Sequence, residues 1–183
     1  MKKLTIALIP IFLLSVFASQ NLLAGWTLGE NDRSELIEDA KQAIRKFKKN
    51  DPSLKGFFEK AYGYAIFPTV GKGGIGIGGA YGEGVVYSKG AVIGYSDLKQ
   101  VTIGFQLGGQ AYSELIFFKD KKTLDRFKSE KIEFDAQVSA VAATAGASAN
   151  VDYASGVAVF TLTKGGLMYE ASLGGQHFSF ETK

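Results

Sequence analysis

Two periodicities divide the chain. Leu36, Ile37, Ala40, Ala43, Ile44 and Phe47 recur at three- and four-residue spacing and predict an amphipathic helix. Asn31 or Asp32 stands where a cap is needed. Acids (Asp32, Glu35, Glu38, Asp39) crowd the start of this helix and bases (Lys41, Arg45, Lys46, Lys48, Lys49) its end, a polarity that suits the helix dipole. Asp51-Pro52 reads as a cap followed by a first-turn proline, opening a short helix through Leu54, Phe57, Phe58 and Ala61.

From Tyr62 the texture becomes that of strands broken by glycine. Residues 64–67 read as a short buried strand stopped by Pro68. Residues 71–90 hold nine glycines yet keep Ile75, Ile77, Val85, Val86 and Tyr87, and predict a strongly bent strand whose Gly74, Gly76 and Gly78 face a close neighbour. Val101, Ile103, Phe105 and Leu107 alternate as a half-buried strand does. Residues 112–118 form a further strand, and 123–127 a short charged helix capped near Asp120. The Ala/Ser-rich stretch 132–151 fits helix or strand, with 137–141 favouring strand. Three strands, 157–162, 167–173 and 177–180, close the chain. Leu107-Gly108-Gly109-Gln110 recurs as Leu173-Gly174-Gly175-Gln176, and both copies read as glycine-permitted hairpin turns. The elements add up to an α+β domain, with N-terminal helices packed on a curved, glycine-rich antiparallel sheet, open or barrel-like.

The N-terminus changes how the charge is read. Met1-Lys2-Lys3 is basic, Leu4 opens an apolar run to Phe17, and Val16-Phe17-Ala18 supplies a cleavage site. Residues 1–18 therefore read as a secretory signal peptide, with a cut after Ala24 as the alternative, 19–30 as a lead-in and 31–183 as one domain. The whole chain of 183 residues carries 21 Lys+Arg against 18 Asp+Glu, a formal +3. Lys2 and Lys3 leave with the signal, so the mature domain is almost neutral and any attraction to an anionic partner must be local. Zero Cys excludes disulfides, thiolate chemistry and a lipidated cysteine, and one His excludes a multi-histidine metal site.

Few motifs carry chemistry. Gly71-Lys72-Gly73-Gly74-Ile75-Gly76 matches G-x-G-x-x-G, but glycine-rich strand follows where a nucleotide fold needs a helix. A catalytic triad would rest on His177 alone, no G-x-S-x-G surrounds any serine, and Glu83 reads as a solvated turn acid. No catalytic residue, cofactor or metal site is assigned. The basic end of the first helix carries more. Lys41, Arg45 and Lys48 follow i, i+4, i+7 beside the apolar stripe, a placement equally suited to anionic headgroups and to a solvated helix back.

Ala61-Tyr62-Gly63-Tyr64-Ala65-Ile66-Phe67-Pro68-Thr69-Val70-Gly71-Lys72-Gly73-Gly74 resembles the signature of the SYLF-domain family. Gly78-Gly79-Ala80-Tyr81-Gly82-Glu83-Gly84-Val85-Val86 and Gly104-Phe105-Gln106-Leu107-Gly108-Gly109-Gln110 continue the likeness in order. So do Glu114-Leu115-Ile116-Phe117-Phe118 and the segment from Leu162 to Gly174, and the resemblance spans roughly residues 33–180. It departs in having Gly94-Tyr95-Ser96 where many relatives carry a tryptophan, and in lacking a glycine-proline after Val138. The resemblance implies a lipid-binding module of the exported bacterial type, without the cytoplasmic phosphoinositides and actin that its eukaryotic relatives meet. Lys41, Arg45, Lys48, Lys49 and Lys72 are the expected headgroup contacts, and Tyr64 and Phe67 the scaffold. The partner expected is anionic phospholipid or a membrane surface in a bacterial envelope, periplasmic or secreted. A protein partner in that envelope is the alternative, and nucleic acid is not expected.

Overall fold

The computed structural model describes residues 30–130, 138–165 and 175–183. The predicted signal peptide, the lead-in up to residue 29, residues 132–137 and the 167–173 strand lie outside them. Helix α1 (Glu30–Asn50) buries Ala40, Ala43 and Phe47 and half-buries Leu36, Ile37 and Ile44, the stripe read from the sequence. It already includes Asn31 and Asp32, so neither is its cap; both sit in the first turns, where acids and amides still suit the dipole. Asp51 caps the 3-10 turn Pro52–Leu54, which leads directly into α2 (Lys55–Lys60).

Two strands dominate the rest. β1 (Gly63–Ser88) and β2 (Ala91–Phe118) pair antiparallel from Gly63↔Phe118 to Ser88↔Ala91. Lys89 and Gly90 join them, both with positive φ (50° and 80°), the two-residue turn that matches strand twist. At about 3.3 Å per residue a straight 26-residue strand would run ~85 Å. A compact domain of 183 residues is only about 40 Å across. The hairpin must therefore fold over, and register shifts fall at Phe67/Val70, Ile75/Ile77 and Val86/Tyr87.

β1 consequently lies against itself. A Cβ built on Gly84 falls 2.6 Å from the Phe67 ring, one on Gly82 lies 2.8 Å from Thr69 O, and one on Gly63 lies 2.6 Å from Tyr87 O. The predicted bend is present, and Gly63, Gly82 and Gly84 are in close approach within β1. A Cβ on Gly79, beside the expected set, has only Gln100 O at 3.5 Å.

Two expected stops are not stops. Pro68 lies inside β1 at the bulge, where β1 has no paired residue to disappoint. The carbonyl of Pro68 instead accepts from Ser113 Oγ at 2.6 Å, in a buried site. Ser113→Ala leaves that carbonyl unpaired and is expected to cost about 1–2 kcal/mol, read as a lower midpoint in denaturant unfolding at unchanged slope. Gly108-Gly109 is not a hairpin turn either. It runs mid-strand, opposite Gly74 and Gly73, so the two glycine pairs make a thin place in the ladder rather than its end. Glu83, read as a turn acid, lies in β1 opposite Asp97 and accepts from Tyr81 Oη at 2.9 Å.

The far edge of β2 carries the remaining strands. β4 (Val157–Gly165) pairs with residues 111–118, and β5 (Gln176–Phe178) and β6 (Glu181–Thr182) pair with residues 94–100. β3 (Ala140–Ala142) lies parallel on β4, within the Ala/Ser-rich stretch. Helix α3 (Lys121–Lys128) is capped by Asp120, whose carboxylate accepts from Thr123 N at 2.8 Å. The result is the expected α+β fold with a curled, mixed but mostly antiparallel half-barrel sheet. Its inner face gathers Phe67, Val70, Val86, Leu98, Tyr112, Ile116, Phe118, Val159 and Phe178, closed by Leu124 and Phe127 of α3. Its outer face packs Ile66, Val85, Leu115, Phe117 and Phe160 on α1 and α2.

Candidate functional site

The cations predicted from the first helix do not form one group. Lys41 is tied to Glu38 at 2.6 Å, and Arg45 lies near enough to help hold the Glu38 carboxyl below the usual range, after Lys41. Lys48 Nζ sits 4.3 Å above the Phe58 ring, and Lys49 is exposed in the last turn. Neither has an ion pair among the described residues. Lys72 is placed elsewhere. It follows Val70 by two in β1 and so faces the inner side, away from α1, where its charge acts on Glu114.

Lys48 begins a column of aromatic rings that leads across one end of the half-barrel. Phe58 meets Tyr64 edge-on at 5.2 Å, and Tyr64 stacks on Tyr87 at 4.9 Å. Burial, with Tyr87 beside it, pushes the Tyr64 hydroxyl up to about 12, so the pair is neutral at any physiological pH. Next to this column, Lys89 of the hairpin turn lies 5.9 Å over the Tyr62 ring, and Lys121 is close enough to Tyr62 for their charges to interact. Lys60, Lys119 and Lys122 are exposed close by in sequence. Of this set Lys121 is paired, with Asp125 at 2.6 Å.

On the other flank of α1, Lys46 meets Lys164 of β4 around a crevice of about 30 Å³, room for one water, lined also by Asp39, Gln42 and Ser113. Burial and then the Lys46 charge hold the Lys164 amine below its usual range, and its Nζ donates to Thr69 Oγ1. Both cations would gain from an anion. Sequence reading missed Lys164, Lys119, Lys121 and Lys122. The Lys119-Asp120-Lys121-Lys122 cluster was the visible signal for three of them, but only the chain fold brings it beside Tyr62 and the hairpin turn.

Other motifs reduce to structure. The glycine pattern 71–76 runs within β1 and no helix opens after it. His177 is exposed on β5. Among the described residues no cluster of His, Asp and Glu could hold a metal, and no helix is long and apolar enough to cross a membrane.

Fold and surface define a helix-backed half-barrel domain that presents cations around aromatic rings at one end. Residues 99–183 match the family model Ysc84, described as Las17-binding protein actin regulator. It is also similar to Beta cell expansion factor A of Aeromonas veronii, 29% identical over 140 residues, covering 76% of this chain and 53% of that protein. The chain thus spans about half the length of that curated relative.

Proposed function

We propose that this protein is a non-enzymatic, exported component of a bacterial envelope that docks peripherally on anionic phospholipid. The observation that carries the reading is the end of α1. Arg45, Lys48 and Lys49 project from its last turns, where they complement the helix dipole and stay solvated, and Lys48 rests on the aromatic column. Lys60, Lys89, Lys119 and Lys122 extend the same cationic end. Their long stems leave apolar carbon beside Phe58 and Tyr62, a composition suited to the headgroup layer. The basic lead of residues 1–3 and the apolar run after it support export. The resemblance to the SYLF-domain family supports lipid as the ligand class.

Cosedimentation with vesicles of neutral lipid, and of neutral lipid mixed with phosphatidylglycerol, tests this. Binding is expected to rise with anionic content and fall with salt. At about 1 kcal/mol per surface cation, Arg45→Gln/Lys48→Gln/Lys49→Gln is expected to lose at least about tenfold in partitioning. Lys72→Gln, on the other face, is expected to lose less than about twofold. Equal binding to both vesicle types removes the electrostatic reading. A larger loss from Lys72→Gln moves the docking surface to the inner face.

A further inference from the structure

On the inner face of the half-barrel, Gln100, Tyr112 and Glu114 of β2 lie beside Gln176 of β5, all of them buried. Gln176 Nε2 donates to Glu114 Oε2 at 3.1 Å. Glu114 Oε1 and Gln176 Oε1, the other oxygen of each group, are both buried and have no donor among the described residues. Two buried acceptors left over beside one good bond is a costly arrangement for an ionised carboxylate. A single proton resolves it. A neutral carboxyl donates through one oxygen and accepts through the other, and a primary amide offers the complementary pair. With a proton on Oε1, Glu114 and Gln176 can close a reciprocal, two-bond acid–amide pair.

We propose that one proton, held between Glu114 and Gln176, latches the C-terminal strand segment onto the sheet, and that its loss loosens that segment. The surroundings favour the protonated form. β1 presents Lys72 as the opposing charge, β2 presents Tyr112, β4 pairs Thr161 with Glu114, and His177 of β5 points to solvent. Burial dominates over the Gln176 bond and Lys72 and pushes the carboxyl up to about 7. The hold that the latch supplements is short. β5 pairs at three positions and β6 at two. Phe178, the last residue of β5, packs on Phe67 at 5.7 Å and Phe127 at 5.2 Å. Loosening the segment uncovers those rings and the inner face beneath.

The sign follows from linkage. The folded, latched state holds a proton that the unlatched state, with its carboxyl in water, releases from about pH 4.3 upward. Latching is therefore strongest in mild acid, weakens as pH rises from about 4.3 toward neutrality, and levels off once the latched carboxyl has also lost its proton.

Two measurements on the full chain test the latch. In carbon-detected NMR, the Glu114 carboxyl is expected to titrate near neutrality, and a midpoint in the ordinary glutamate range overturns the proposal. Hydrogen exchange is then followed between pH 5.5 and 8.5, with rates divided by their intrinsic values. The amides of Ser179 and Lys183, which donate to Asp97 O and Ile93 O, are the reporters. Their protection is expected to fall by up to about tenfold per pH unit below the Glu114 midpoint and to level off above it, as for one linked proton. In Glu114→Gln the amide forms the same reciprocal pair and has no proton to lose, so protection is expected to be independent of pH. The same pH dependence in Glu114→Gln, or none in the unaltered protein, overturns the latch.

Discussion

Gly84→Ala is expected to lower stability by about 3 kcal/mol, the upper part of the usual cost of overpacking. The added Cβ would sit 2.6 Å and 2.7 Å from two ring carbons of Phe67 and 2.9 Å from Ile66 O. None of these can move cheaply. Phe67 is fully buried and wedged against Phe178, and the Ile66 carbonyl belongs to the same strand ladder, opposite Leu115. The substitution forces apart the two limbs of β1 where they cross. For a chain of this length the loss corresponds to a fall in Tm of roughly 6–12 °C by calorimetry. Gly71→Ala is the internal control. It lies in the same strand, its Cβ meets nothing within 4 Å, and its φ is not in the left-handed region. There the substitution is expected to be neutral or to stabilise by up to about 1 kcal/mol, because it restricts the unfolded chain. Equal effects at the two positions would show that β1 does not pack on itself at Gly84.

That crossing also shows what the sequence could reveal and what it could not. α1 was legible because its apolar stripe has a single period and is buried against one neighbour. α3 was legible from Asp120 followed by Leu124 and Phe127. The long strands were not, because glycine has two uses. Gly82 and Gly84 serve close approach, Gly90 serves a turn at φ +80°, and Gly109 serves neither, with its nearest Cβ neighbour at 4.0 Å. Nothing local separates these uses, so Gly108-Gly109 reads as a turn until its partner Gly73-Gly74 is known. Pro68 misleads for the same reason, since its place at a bulge depends on Ser113, 45 residues later. The candidate surface divides similarly. The bases of α1 come from one helix and can be read directly. Lys89, Lys121 and Lys164 join them only through the fold, and Lys72 leaves them because strand alternation turns it to the other face. Glu114 sits in the run Tyr112-Ser113-Glu114-Leu115-Ile116, where period two puts it inward with Tyr112 and Ile116. Only the Gln176 contact, 62 residues away, distinguishes it from a surface acid.

Asp51→Ala is expected to cost about 3 kcal/mol or more, because one buried carboxylate joins two separate pieces of chain. Asp51 is fully buried. Oδ1 accepts from Ser53 N at 3.1 Å and Gly146 N at 3.2 Å, and Oδ2 accepts from Ser148 N at 2.8 Å. The Ser53 hydroxyl also donates to Oδ1 and lies 2.7 Å from Ser148 Oγ. The carboxylate thus caps the turn after α1 and closes the 3-10 turn Ala147–Asn150, tying the helical layer to the segment that follows β3. Alanine strands these N–H donors in a buried site, and Asp51→Asn puts an amide N–H₂ among donors. Both variants are expected to lose most of the interaction, and Asp51→Asn separates lost charge from lost volume. Burial pushes the Asp51 carboxyl up, but the bonds from Ser53 and Ser148 together outweigh it, and the group is held below the ordinary aspartate range. A depressed carboxyl stabilises the fold above the unfolded pKa of about 3.9 and ceases to do so as pH falls through the folded value. The unfolded chain takes up the proton first, so stability falls with acid below about pH 4. Denaturant unfolding from pH 6 to pH 2.5 is expected to show this slope in the unaltered protein and a shallower one in Asp51→Asn. An Asp51→Asn variant with unaltered stability at pH 6 would show that the carboxylate is not what holds the two layers together.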